Sequence, residues 1–304
     1  MDRLFYWLTA GAAILVLLLL LSAALSMLLG GRLALKTFGW GFLTGTVWNP
    51  VTQQFSAFVP IYGTIVTSVI ALLIAVPVSF GIAIFLSEIA PTWMRRPISS
   101  AIELLAGIPS IIYGMWGLFF FAPLMASSVE PALKSYLGPL PLIGSLFQGP
   151  PLGIGILTAG IILAIMIVPF ISSVVRDVFL MLPASLKESA YALGSTKWEL
   201  IRSIVIPYAR SAIVGGIFLG LGRALGETMA VTFVLGNAHE LSRSLLMPGN
   251  SIAATLANEF TEADSPMYLS ALIALGFLLF IVTFIVLALA KLLLLRMDKK
   301  EGHF

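Results

Sequence analysis

The chain has 304 residues, 59% of them hydrophobic and 10% charged, against about 25% charged in an average soluble protein. With a mean hydropathy of +1.05 it lacks the charge to coat a soluble domain, which excludes a soluble enzyme, a secreted module and a disordered chain and leaves a polytopic membrane protein. There is no cysteine, and the two histidines are His239 and His303. A disulfide framework, a thiol nucleophile and a cysteine or histidine metal cluster are therefore excluded. The formal net charge of +3 gives no reason to expect a nucleic-acid partner.

A spanning helix needs about 20 mostly apolar residues. Residues 4–29 supply the first, too long an apolar run for a signal-peptide core and so a retained anchor. A loop over 32–60 carries Arg32, Lys36, Trp40, Trp48 and Pro60. The second span covers 61–86, and Arg95 and Arg96 lie in the turn after it. The third covers 98–121, followed by a Pro/Gly-rich loop over 123–151. The fourth covers 152–175. Residues 176–207 hold Arg176, Asp177, Lys187, Glu188, Lys197, Glu199 and Arg202, too polar for lipid but long enough for two short helices. The fifth span, 208–236, is interrupted by Arg223 and Glu227. A polar loop over 237–266 and a sixth span over 267–290 lead to a basic tail.

Six spans put both termini on one side. The other side holds only Arg32, Lys36, Lys134 and Arg243, and Arg223 lies within a span. All other Lys and Arg fall with the termini, which the positive-inside rule places in the cytoplasm with the 176–207 loop. The expected organisation is residues 1–60 as first span and outer loop, 61–297 as the main transmembrane domain, and 298–304 as a tail. The basic tail reads as an anchor at an anionic leaflet, with membrane lipid as its contact.

Within 176–207, Pro183 and Ser185 open a short helix, and Gly194 suits its left-handed stop. A second helix carries Trp198 and leads to Pro207. A bent, exposed elbow of this kind suits a groove on a soluble partner; an ordinary solvated loop is the alternative. The run Glu188-Ser189-Ala190, then Gly194, then Pro207 resembles the EAA loop of ABC-importer permeases, with Ser189 in place of the second-position Ala. The stretches Leu219–Val231 and Leu105–Gly114 resemble phosphate-specific permeases of that class, as do Met247–Ile252 and Leu256–Phe260.

The resemblance implies an all-α, six-helix type I importer permease in a bacterial or archaeal cytoplasmic (inner) membrane. It implies a homologous permease, a dimer of a separate ATPase subunit that uses ATP and Mg, and a phosphate-binding protein as partners. The coupling loop would comprise Glu188, Ser189, Ala190, Gly194, Ser195, Trp198 and Pro207. The chain has no phosphate-binding P-loop motif and no Gly-Lys dipeptide, so the reading is a transport subunit that is no enzyme and binds no cofactor or metal itself.

Arg223 and Glu227 are four residues apart, about 40° around a helix. A charge inside lipid usually faces a partner or a water-filled path. Either the two pair merely to hold helices in register, or Arg223 meets an anion through parallel hydrogen bonds and Glu227 tempers it. The resemblance favours the second. Ser110, Tyr113 and Thr228 are neutral candidates for the same path, with bonding to their own backbone as the blander alternative. Glu103 lies too shallow to reach Arg223 and is expected to turn toward the interface or Arg95 and Arg96. Ala212, Gly216, Gly220, Gly222 and Gly226 make small-residue stripes that let helices approach closely, which suggests that the fifth span lines a seam between subunits. The outer loop 237–266 would contact a delivery protein or simply be solvated. The competing functions are a permease for molybdate, sulfate or phosphonate, and an ion-coupled secondary carrier.

Overall fold

A computed structural model describes the backbone of residues 2–301 and the side chains of residues 3–296. The described residues form helices and no strand; an isolated bridge pairs Asn49 with Gln54. Among the described residues, six helices are long and apolar enough to cross a membrane. They are contained in α1 (Asp2–Gly30), α4 (Phe58–Ile89), α6 (Ser110–Leu137), α7 (Ile156–Leu180), α9 (Lys197–Leu225) and α12 (Pro266–Glu301). Short helices fill the gaps: α2 (Arg32–Phe38), α3 (Trp40–Thr44), α5 (Thr92–Ala106), α8 (Ala184–Ala192), α10 (Met229–Val234) and α11 (Ile252–Glu259). The expected tail begins where side chains are no longer described; the α12 backbone runs on through Glu301.

The bundle is built around α7. Of its apolar window 67% is buried, against none of that of α1. Lipid tails are as apolar as Leu, so close packing rather than water exclusion joins such helices. Small residues provide it. Gly160 of α7 receives Ile70 of α4, where a Cβ would come within 2.6 Å of a side-chain carbon. Ala71, Ala75 and Ala159 are buried beside it, and Ser79 donates to the Val168 carbonyl at 3.1 Å. On the other flank, Gly216 and Gly220 of α9 meet Val174 and Ile171 of α7, and a Cβ at Gly220 would lie 2.7 Å from Ile171. Gly216 and Gly220 therefore pack within the chain. Gly222 faces Leu287 of α12, and Ala212 is exposed.

Two expected spans are redrawn. The third does not run from 98 to 121: the chain breaks at Gly107–Pro109, and the spanning helix is α6, which extends into the stretch read as a loop. Pro109 cannot donate in a helix interior and disfavours helix at Ile108. The preceding α5 is amphipathic and buries none of its residues. The fifth span starts earlier and ends earlier than 208–236. From Lys197 to Leu225 the helix is continuous, because a π turn over Ile201–Val205 absorbs the proline at 207. It stops at Gly226, and α10 begins three residues later.

A second, smaller core lies at the opposite end from the 181–196 elbow. Phe42, Trp48 and Phe55 from the 31–57 segment pack on Ile252, Tyr268, Leu272 and Leu275.

Candidate functional site

The break between α9 and α10 places the intramembrane charges. Arg223 sits in the last turn of α9 and is exposed on the isolated chain. Its guanidinium carbon lies 6.0 Å from the centre of the Phe170 ring, within reach of a cation–π attraction. Phe170 is ten residues before the end of α7, about 15 Å along the axis, so Arg223 lies well inside the apolar part of the bundle. Sequence reasoning had no signal for Phe170, which sits in an unbroken apolar run.

Glu227 does not pair with Arg223; among the described residues no ion pair joins them. The helix on which the two would share a face has ended, and Glu227 Oε1 instead accepts the Ala230 N–H at 3.2 Å. The carboxylate thus satisfies an orphan donor at the start of α10. Tyr113 is buried, and its hydroxyl donates to the Leu105 carbonyl at 2.9 Å, bridging the Gly107–Pro109 break. Thr228 donates to Gly226 O at 3.4 Å and lines a largely apolar cavity of about 690 Å³ with Ala253, Leu256 and Ile273. Ser110 opens α6 and is half-buried. Glu103 turns toward the elbow end, pairing with Arg176 at 3.2 Å.

The elbow has a fixed base and a bare tip. Lys187 Nζ meets Glu88 Oε1 at 2.6 Å and ties α8 to the end of α4. Ala190 is 3% exposed and joins the main core. Gly194 has φ +84, Ser195 N–H bonds Ala190 O at 3.1 Å and Gly194 N–H bonds Tyr191 O at 3.0 Å. These are the paired bonds of a left-handed helix stop, as expected from the glycine. Thr196 and Glu199 then form a reciprocal cap on α9, for which the Thr-x-x-Glu spacing is the sequence signal. Beyond this frame, Glu188 and Ser189 are exposed, Leu193 is 89% exposed and Trp198 62%. Pro207, also exposed, lies further along α9.

At the opposite end a polar cluster, marked by no sequence motif, locks the second core. Glu259 accepts from Trp48 Nε1 at 2.7 Å and Tyr268 Oη at 2.6 Å, and meets His239 Nε2 at 2.5 Å. Trp48 stacks on the His239 ring at 5.3 Å. Burial pushes the Glu259 carboxyl up; the bonds from His239, Tyr268 and Trp48 outweigh this and hold it below its ordinary value. No group of three or more metal-ligating side chains is found among the described residues.

Comparison with known proteins agrees with this architecture. Residues 79–299 match the family described as binding-protein-dependent transport system inner membrane component. The phosphate transport system permease protein PstC of Xylella fastidiosa (strain 9a5c) is 64% identical over 302 residues, 99% of this chain and 93% of the relative. The probable PstC of Methanocaldococcus jannaschii is 36% identical over 276 residues, 89% and 86% of the two chains. Among solved structures, a bacterial alginate ABC transporter chain superposes with TM-score 0.59 at 18% identity, covering 93% of this chain and 92% of that one. A MetNI methionine ABC transporter chain gives 0.56 at 16%, covering 78% and 94%. These two show the fold alone. The chain is a multi-pass membrane protein with an ABC-importer permease fold, and it belongs to the PstC family of phosphate transport permeases.

Proposed function

We propose that this chain conducts phosphate across the cytoplasmic membrane as one of two homologous permeases in an ATP-driven importer. Arg223 is the observation that carries the reading. It is a cation well inside the spans, exposed on the isolated chain and joined to no described carboxylate. A guanidinium there donates two parallel hydrogen bonds to a tetrahedral oxyanion. Glu227 is occupied with the cap of α10, so it fixes the break beside Arg223 rather than neutralising it. Tyr113 and Thr228 shape the same region, with hydroxyls bonded to backbone.

The elbow is the coupling element. Its exposed Glu188, Leu193 and Trp198 suit a groove on a separate ATPase subunit. Its base is tied to α4 by Lys187–Glu88, and its second arm, from Lys197, runs on through the π turn into the rest of α9. A push on the tip is therefore passed along the helix whose last turn carries Arg223. Closing of the ATPase dimer around ATP and Mg would rotate one permease against the other. A phosphate-binding protein delivers the anion at the opposite face.

The test is phosphate uptake into proteoliposomes holding this chain, its partner permease and the ATPase, with the binding protein outside. Arg223→Ala is expected to abolish uptake while ATPase binding persists. Glu188→Ala is expected to weaken both. Uptake without the ATPase would overturn the importer reading in favour of an ion-coupled carrier. Equal competition by molybdate, sulfate or phosphonate would overturn phosphate as the cargo.

A further inference from the structure

The elbow end carries a second, separate basic site that the transport reading does not use. A pocket of about 380 Å³ opens between α5, the end of α4 and the end of α7. Arg95, Arg96 and Arg176 line it with the hydroxyls of Ser99 and Ser100. Arg176 is committed, since its guanidinium bonds Asp177 at 2.7 Å and Glu103 at 3.2 Å. Arg95 spends only its Nε, on the Ala90 carbonyl at 2.8 Å, which aims its terminal nitrogens and leaves them free to donate. No described side chain forms an ion pair with Arg96. Glu103 lines the pocket too and is spent on Arg176, so with Asp177 the net charge there is +1, and the guanidinium groups of Arg95 and Arg96, in no ion pair among the described residues, sit beside two hydroxyls.

The surroundings decide which anion this suits. The helix bearing the pair buries none of its residues. Trp93 is 74% exposed just before the arginines, and Leu104 is 74% exposed at the other end. The pocket's remaining walls include Leu86 and Leu180. Tryptophan beside arginine on a one-sided apolar helix is the composition of an element lying at headgroup level. A free aqueous anion has no use for the apolar flank, whereas a phospholipid uses both parts.

We propose that this pocket binds the phosphate of an anionic phospholipid, held by Arg95 and Arg96 with Ser99 and Ser100, while its acyl chains run along the bare face of α5. The inference is independent of the transported substrate.

The test uses the full chain purified with its co-expressed subunits, exposed to equimolar phosphatidylglycerol and phosphatidylcholine of matched acyl chains. Bound lipids are counted by native mass spectrometry. Wild type is expected to retain phosphatidylglycerol in preference. Arg96→Gln is expected to weaken that retention roughly five-fold, the effect of one cation near an anionic surface, and Arg96→Lys to restore most of it. A large excess of inorganic phosphate is expected to leave the adduct in place. Equal retention of the two lipids by wild type overturns the proposal without any variant. So does unchanged retention in a folded Arg96→Gln. Displacement by inorganic phosphate overturns it in favour of a free-anion site.

Discussion

The two ends of the bundle solve opposite problems. At the end bearing the second core, Glu259 receives bonds from three different elements, and Trp48, Phe55, His239 and Tyr268 stack around it. Nearly every polar group there is spent on the chain itself. At the elbow, a salt bridge, one buried alanine and two helix caps fix the base, and the tip spends almost nothing internally. A region that satisfies itself is built to hold shape. A region that is positioned accurately and left bare is built to be touched. Substitutions at the two ends should therefore separate stability from coupling.

The largest effect on folding is expected from Gly63→Ala in α4. A Cβ there would fall on the Asn250 carbonyl, far inside van der Waals contact. Backbone gives way less easily than a side chain, so the loss should reach or exceed the ~3 kcal/mol upper range of overpacking. Thermal unfolding in detergent measures it. A wild-type midpoint would mean that the 237–251 segment is not clamped on α4 and would break the contrast.

Glu259→Gln comes next. It leaves a neutral amide where a carboxylate accepted several donors, and the loss of charged hydrogen bonds should cost about 2 kcal/mol. The same site predicts a pH dependence. Its carboxyl titrates below the ordinary value in the folded protein, so its stabilisation is fully present above the unfolded pKa of about 4.3. It is lost as pH falls through the lower folded value. Wild type should lose stability faster than Glu259→Gln on acidification below about pH 4.3. Parallel curves would show that the cluster does not act through this ionised group.

Much of the fold was legible because lipid demands long apolar runs, and four of the six spans lie near their expected limits. The two redrawn spans share a cause: apolar sequence continues across a break. Only the few apolar residues of Leu104–Ala106 lead into Gly107–Pro109, and Ala224–Leu225 into Gly226–Thr228, but apolar sequence resumes at once after each break, so a run of apolar residues reads as one helix where the backbone makes two. The π turn before Pro207 had the reverse effect, since a proline that normally ends a helix is accommodated. At the site, the elbow was readable because glycine and capping residues act locally. Phe170 beneath Arg223, and the meeting of Trp48, His239 and Glu259, were not readable, since residues far apart in sequence come together only through tertiary packing.

Gly194→Ala should be milder than Gly63→Ala, although both add one methyl group. No atom lies within 4 Å of the new Cβ at Gly194, but the backbone has φ +84. The cost is the left-handed conformation alone, about 1 kcal/mol. It falls on the hinge between α8 and α9, so coupled uptake should drop more than the unfolding midpoint suggests. If Gly63→Ala and Gly194→Ala destabilised equally, space-filling would not be what distinguishes the two ends.

The smallest effect on stability, and the sharpest division between stability and coupling, is expected at the tip. Leu193 and Trp198 are large apolar side chains, 89% and 62% exposed. Truncating either to Ala removes almost no internal contact, so unfolding should stay within about 0.5 kcal/mol of wild type. Exposed apolar groups on a rigid frame gain their energy only when a partner covers them, and large aromatic residues dominate such contacts. The double substitution should therefore leave the fold and the Arg223 region intact while weakening association with the proposed ATPase subunit by tenfold or more, about 1.4 kcal/mol or above. Binding measured on the detergent-solubilised chain and its unfolding midpoint settle the matter together. A fall in the midpoint with unchanged association would mean that the tip packs internally after all, and that the bare surface at this end is no docking site.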